Sequence, residues 1–186
     1  AYFDAAVRWL KAEGITSGVG STGLFKPNDA VTRAQMATFL WRLMGSPSTS
    51  KAHGFPDVPR GAYYDEAVRW LKAAGITGGV GDTGLFKPND PVTRAQMAAF
   101  LHRLVSSPSV GAGHGFADVP SSAYYDMAVR WLKATGITTG VGGTNRFAPN
   151  DVVNRAQMAA FLHRLASTPS AWSKVPPSKI PPTVTF

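Results

Sequence analysis

VTRAQMAAFLHRL, residues 92–104, has two near copies in this 186-residue chain, VTRAQMATFLWRL at 31–43 and VNRAQMAAFLHRL at 153–165. Each reads as a helix with its start signal attached. Thr93 stands three residues before Gln96, the spacing of a capping box, in which hydroxyl and amide each satisfy a backbone N–H of the other residue. Thr32 with Gln35 repeats the pattern, and Asn154 with Gln157 substitutes another good cap. Behind the cap, Met97, Phe100, Leu101 and Leu104 recur at i, i+3, i+4 and i+7, which makes one apolar stripe. Met36, Phe39, Leu40 and Leu43 form the same stripe, so both are expected in the core. Arg33, Arg94 and Arg155 occupy the first helical position, where the macrodipole disfavours a cation. Three repetitions of a locally unfavourable choice predict an anionic partner.

The copies belong to a longer period. Trp9, Trp70 and Trp131 are 61 residues apart, as are Gly14, Gly75 and Gly136. Such a period overrides any domain count taken from length. The predicted segments are repeat 1 at 1–45, repeat 2 at 53–106, repeat 3 at 114–166 and a Pro-rich tail at 167–186. An apolar content of 44% supports a packed core. With no cysteine in the chain, disulfides and thiolate metal sites drop out. No apolar run approaches the roughly 20 residues needed to span a bilayer, so membrane insertion is not expected.

The net charge of +8 is distributed through equivalent places in the repeats, with Arg69 and Lys72 on one predicted helix and Arg94 and Arg103 on the next. A solvated face accounts for most of these cations, and a polyanion partner is the functional alternative. Nucleic acid is a poor candidate, because no Lys/Arg-rich run or recognition motif is present.

Residues 1–13 read as a helix with Phe3, Ala6, Val7 and Leu10 inward. Gly14 then takes the left-handed C′ position, and Ile15 supplies the apolar contact of a Schellman cap. A glycine-rich loop follows at 16–29, with Val19 and Phe25 as anchors and Pro27-Asn28-Asp29 as a turn. No Gly-Lys-Ser/Thr follows the glycines, so tight turns are the reading rather than phosphate binding. FPDVP at 55–59 and FADVP at 116–120 precede the first helices of repeats 2 and 3. Each is expected to be a short strand carrying Phe and Val on the core side, with Asp57 and Asp118 pointing away. The repeat unit is thus short strand, helix, Gly-rich loop, helix.

Together F-x-D-V, A-V-x-W-L-x-x-x-G-I-T, G-x-x-x-x-x-F-x-P-N-D and V-T-R-A-Q-M closely resemble S-layer homology (SLH) modules of bacterial surface proteins, over about residues 1–165. The resemblance implies a mainly α fold, a pseudo-threefold spindle around a central helical bundle with grooves between repeats. It also implies an extracellular place at the cell wall or cell surface. The partner it implies is an anionic cell-wall polysaccharide, often pyruvylated, held without a covalent bond. The family's T-R-A-E signature maps to Thr32–Gln35, Thr93–Gln96 and Asn154–Gln157. Gln stands for Glu each time, which still closes the capping box but leaves more positive charge.

Arg33, Arg94 and Arg155 are the main ligand-binding candidates. A guanidinium can hold a carboxylate by two parallel hydrogen bonds, and free N–H groups at a helix start add donors. The alternative for Arg94 is a structural salt bridge with Asp90 or Asp57. Trp9, Trp70 and Trp131 read equally as sugar-stacking rings or as half-buried packing. Asp57 and Asp118 complete the candidate set. The position of Trp41, filled by His102 and His163 in the other repeats, reads as surface or interface.

No enzyme is expected. The chain has two Glu, at 13 and 66, neither present in every repeat, and no nucleophile–base pair stands out. His53 and His114 lack metal-ligand spacing, so neither metal nor cofactor is expected. Repeat 1 begins in its first helix without an F-x-D-V segment. Trp172-Ser173-Lys174-Val175-Pro176 has a related shape and reads as a displaced copy. It could dock on repeat 1 of its own chain or on the next subunit, making a homo-oligomer that propagates head to tail. The second case makes the chain a self-assembling subunit of an extracellular filament or surface layer. Assembly residues are then Trp172, Val175, Val184 and Phe186, with 183–186 alternating like a strand that adds to a neighbour's edge. A disordered tail is the third reading.

Overall fold

The computed structural model describes residues 1–184. Among them are six α-helices: α1 Asp4–Ala12, α2 Arg33–Leu43, α3 Asp65–Ala73, α4 Arg94–Leu104, α5 Asp126–Ala134 and α6 Arg155–Ala166. The fold is mainly α and threefold repeated, as expected. All three capping boxes form, at Thr32–Gln35, Thr93–Gln96 and Asn154–Gln157. The Schellman cap of α1 forms as well, with Gly14 N bonded to Lys11 O and Ile15 N to Leu10 O at 2.8 Å. The left-handed φ of +68° at Gly14 makes that exit possible.

The repeats interlock rather than stack. α1 packs on α6, α2 on α3 and α4 on α5, so the first helix of each repeat lies against the second helix of the preceding one, and the last pair closes the ring. The pseudo-threefold axis is marked by a backbone cycle. Val31 N donates to Val153 O, Val153 N to Val92 O and Val92 N to Val31 O, each at 2.9 Å. All three valines are fully buried, at 0% exposure. Below this cycle Met36, Leu40 and Leu43 of α2 and their equivalents fill the core, with Phe39, Phe100 and Phe161 each 5% exposed.

Neighbouring repeats also complete each other's helix starts. Arg33 N and Ala34 N donate to Asp90 O and Pro88 O of the next repeat, both at 2.9 Å. Arg94 and Ala95 use Asp151 and Pro149, and Arg155 and Ala156 use Asp29 and Pro27. The Pro-Asn-Asp turn is therefore a cap for another repeat's helix, which satisfies donors a helix leaves open.

Two local expectations change. FPDVP and FADVP form turns and not strands, with Val58 N bonded back to Phe55 O at 3.3 Å. Two residues separate Phe from Val, and in a turn that spacing brings both side chains inward, whereas a period-two strand would split them. The Pro-rich tail carries two short 3-10 turns, Pro169–Trp172 and Pro177–Lys179. Trp172 and Val175 are buried within the same chain, at 1% and 7% exposure. They do not occupy the Phe-x-Asp-Val position of repeat 1. Instead the Trp172 indole donates to Leu165 O at 2.9 Å. Residues 175–182 then run past Met44, Trp70 and Leu104 at the C-terminal ends of the bundle. Residues 183–184 are a turn and bend, not the strand expected there. Val184 is buried at 6% exposure, and the expectation for Phe186 lies outside the described residues.

Candidate functional site

Three equivalent grooves open between the repeats, of about 400, 230 and 490 Å³. The first is built from all three repeats. Arg33 comes from repeat 1, the loop Thr77–Gly81 with Gln96, Phe100 and Arg103 from repeat 2, and Tyr124 from repeat 3. The second rotates the assignment, with Arg94, then Gln157, Phe161 and Arg164, then Tyr2. The third has Arg155, then Gln35, Phe39 and Arg42, then Tyr63. Each groove therefore presents two guanidinium groups and an aromatic hydroxyl. No acidic side chain lines any of them among the described residues.

The first arginine of each pair is buried. Arg33, Arg94 and Arg155 are 2–4% exposed. Their Nε atoms donate at 2.6 Å to the carbonyls of Phe86, Phe147 and Phe25. Each guanidinium also lies over two rings, in the case of Arg33 those of Phe86 at 4.8 Å and Phe100 at 5.4 Å. Burial lowers the pKa of all three from its usual value, with nearby Asp90, Asp151 and Asp29 opposing it from a distance. No ion pair within 4 Å joins them to a carboxylate among the described residues. The salt-bridge alternative for Arg94 is thus replaced by carbonyl and aromatic contacts. Each of the three keeps one buried Nη2 without a hydrogen-bond partner among the described residues.

The helix starts contribute less than the sequence suggested. Their first N–H groups are consumed by the Pro-Asn-Asp turns and capping boxes, so they are not free donors for a ligand. The second arginine of each pair is more accessible and is tethered at one nitrogen. Arg42, Arg103 and Arg164 donate to the carbonyls of Ile15, Ile76 and Ile137 at 3.2–3.3 Å.

The tryptophans do not line the grooves. Trp131 is 1% exposed and packs beside His102, with ring centroids 5.6 Å apart. Trp9 does the same with His163, and Trp70 lines the seat of the tail. Trp9 and Trp131 thus pack in the interfaces between helix pairs, opposite His163 and His102. Tyr2, Tyr63 and Tyr124, 64–68% exposed, are the rings that reach the grooves. Their recurrence at one place in every repeat was the available signal, and so was that of Arg42, Arg103 and Arg164.

Asp57 and Asp118 also lie away from the grooves. Asp57 accepts from Phe86 N at 2.9 Å and Lys87 N at 2.6 Å, and Asp118 accepts from Phe147 N and Ala148 N at 2.8 Å. They hold the loop that supplies the arginine's carbonyl. His53 and His114 accept from the N–H of Phe55 and Phe116 through Nδ1, at 2.8 Å, which puts the neutral ring's proton on Nε2. That Nε2 faces Asp65 at 3.4 Å or Asp126 at 3.2 Å. No helix of the described residues is long and apolar enough to cross a membrane.

Comparison with known proteins places this arrangement. A family model described as the S-layer homology domain matches residues 1–37, 54–98 and 115–159. Among curated proteins, an amylopullulanase of Thermoanaerobacterium thermosulfurigenes is 30% identical over 84% of this chain, which spans 8% of that protein. A cell surface protein of Thermoanaerobacter kivui is 36% identical over 59% of the chain and 15% of its own length. A cellulosome-anchoring protein of Acetivibrio thermocellus is 26% identical over 76% of the chain and 33% of its own length.

Proposed function

The chain belongs to the S-layer homology domain family, and from that premise we propose that it is a non-catalytic anchoring module whose grooves bind an anionic cell-wall polysaccharide without a covalent bond. It is a cell-surface module. The observation that carries the ligand reading is the composition of the grooves: two arginines, one exposed tyrosine and, among the described residues, no acidic one, three times over. A guanidinium takes a carboxylate by paired hydrogen bonds, and a tyrosine ring offers a flat face to a sugar. A pyruvyl ketal combines those features in one residue, a carboxylate fixed on a pyranose ring. Three grooves on one body also convert weak single-site contacts into avidity along a repeating polymer.

Co-sedimentation with purified wall sacculi tests this. The protein is expected to pellet with sacculi at low salt and to be released as salt screens the charges. Replacing Arg42, Arg103 and Arg164 together by Ala is expected to abolish pelleting while the far-UV circular dichroism stays unchanged. Removing the pyruvyl groups from the polysaccharide is expected to have the same effect. Undiminished pelleting of the folded triple variant would reject the groove assignment.

A further inference from the structure

The tail makes one boundary between repeats unlike the other two. Residues 175–182 pass over the C-terminal ends of α2, α3 and α4, where Met44, Ala74 and Leu104 meet them. Proline sets this course, since Pro176, Pro177, Pro181 and Pro182 fix their own φ and donate no backbone hydrogen bond. Between them one 3-10 turn closes, with Lys179 N bonded to Pro176 O at 2.8 Å and Ile180 N to Pro177 O at 3.2 Å. Val175 and Pro181 are buried on either side of it. Lys179 is thus carried on a short loop anchored at both ends.

Between this loop and the bundle lies a cavity of about 540 Å³, larger than any of the three grooves. Its walls include Met44, Leu104, Ile180 and Pro181, with the half-buried ring of Trp70 among them. Its polar side chains are two cations, Arg103 and Lys179, and two hydroxyls, Ser106 and Ser178. Among the described residues no carboxylate lines it, and neither cation takes part in an ion pair. A mainly apolar cavity with a few convergent polar groups has the make-up of a ligand site. Two unpaired cations set the sign of that ligand.

Arg103 joins this cavity to the first groove, because it lines both. Its Nη1 donates to Ile76 O at 3.3 Å, and Ile76 lines the cavity while Thr77, the next residue, lines the groove. The two spaces therefore adjoin across one arginine side chain and one peptide unit. The tail that completes the cavity lies beyond residue 159, where the match to the family model ends.

We propose that this cavity extends the first groove, and that it takes the next acidic sugar of the same polysaccharide strand. Arg103 stands between the two sugars, Lys179 pairs with the carboxylate of the second, and the Trp70 ring lies against that sugar's apolar face. The proposal rests on the reading of the grooves as polysaccharide sites. It makes the first groove a longer site than the second and third, since the chain has one tail.

The probes are the methyl glycoside of pyruvylated galactose and a trisaccharide of the same residue, titrated into the full chain. The Gly81 amide reports on the first groove and the indole N–H of Trp70 on the cavity. The trisaccharide is expected to shift both with one dissociation constant, roughly tenfold below that of the monosaccharide at Gly81. Lys179→Glu is expected to remove about that tenfold gain and to leave the monosaccharide titration unchanged, whereas Lys179→Arg keeps the gain. Lys174→Glu makes the same charge change on an exposed tail residue outside the cavity lining, and is expected to leave both titrations unchanged. A Gly81 shift without a Trp70 shift, or an equal loss in the Lys174 and Lys179 variants, overturns the extended site and leaves the groove reading in place. No shift at Gly81, nor at Gly142 and Gly20 in the other grooves, overturns both.

Discussion

The Nε of Arg33 donates to the carbonyl oxygen of Phe86 at 2.6 Å, across the boundary between the first and second repeats. The same guanidinium fixes one wall of a groove, so a single residue joins the packing of the ring to the charge of the site. Arginine cannot release its proton here despite burial, so the charge must be held by the carbonyl and the two rings.

Arg33→Ala is therefore expected to cost about 2–3 kcal/mol, from a lost charged hydrogen bond and a buried carbonyl left without its donor. Arg103→Ala removes a charge from the same groove but from an exposed position, at below about 1 kcal/mol. Urea unfolding separates them. Arg103→Ala should keep its midpoint and weaken polysaccharide binding, whereas Arg33→Ala should lower both. Equal midpoints for the two variants would show that the Phe86 contact contributes little.

Phe100 supports Arg33 from the other side and belongs to the apolar stripe of α4. Its truncation to Ala is expected to cost about 3–5 kcal/mol, the usual penalty for a cavity in a closed core. Phe39→Ala and Phe161→Ala should fall in the same range, since each is also 5% exposed and lies near 5.5 Å from an arginine of another repeat. A loss under about 1 kcal/mol at any of them would place that ring outside the core.

Acid is expected to act through the loop carboxylates. Burial pushes the Asp118 pKa up, but the amides of Phe147 and Ala148 and the Arg146 side chain outweigh it and hold the carboxyl below its ordinary range. Asp65 is lowered chiefly by its bond from Arg69. A folded pKa below the unfolded one means stability that is fully present above about pH 4 and lost as pH falls toward the folded value. The urea midpoint should thus drop below about pH 4 in the native chain. Asp118→Asn should start lower and fall less steeply over that window. A variant with the native pH slope would remove Asp118 from the acid response.

The parts of this fold that were legible in the sequence are those that local chemistry controls. Thr93 and Gln96 sit three apart and close their box without help from elsewhere, and Gly14 with Ile15 ends α1 by the same local rule. What could not be read depends on ring closure. Nothing near Arg33 in sequence says that Pro88 and Asp90 of another repeat will take its helix donors, or that Tyr124 of a third will share its groove. Trp131 was ambiguous for the same reason, since its burial follows from α5 packing on α4 of the preceding repeat and not from its own helix. The turn at FPDVP was within reach, because two residues between Phe and Val do not suit a strand.

The tail yields the last prediction. Trp172 is one of the largest fully buried side chains, and its indole N–H donates to Leu165 O at 2.9 Å, a carbonyl near the end of α6 that also takes the longer bond from Thr168 N at 3.3 Å. Trp172→Ala is expected to cost about 3–5 kcal/mol through the cavity it leaves. Trp172→Phe is expected to cost about 0.5–1.5 kcal/mol, because most of the ring volume is kept, one hydrogen bond is lost and Leu165 O retains its bond from Thr168 N. Deleting residues 171–186 should go further, since buried Val175 and half-buried Ile180, which form one wall of a cavity of about 540 Å³ opposite Met44, Trp70 and Leu104, are lost as well. The truncated chain is expected to melt several degrees lower, with its mass by light scattering unchanged, as follows from a tail seated on its own bundle. An unchanged melting temperature combined with a change in assembly state would instead assign the tail to a neighbouring molecule, and neither change would leave it without a structural role.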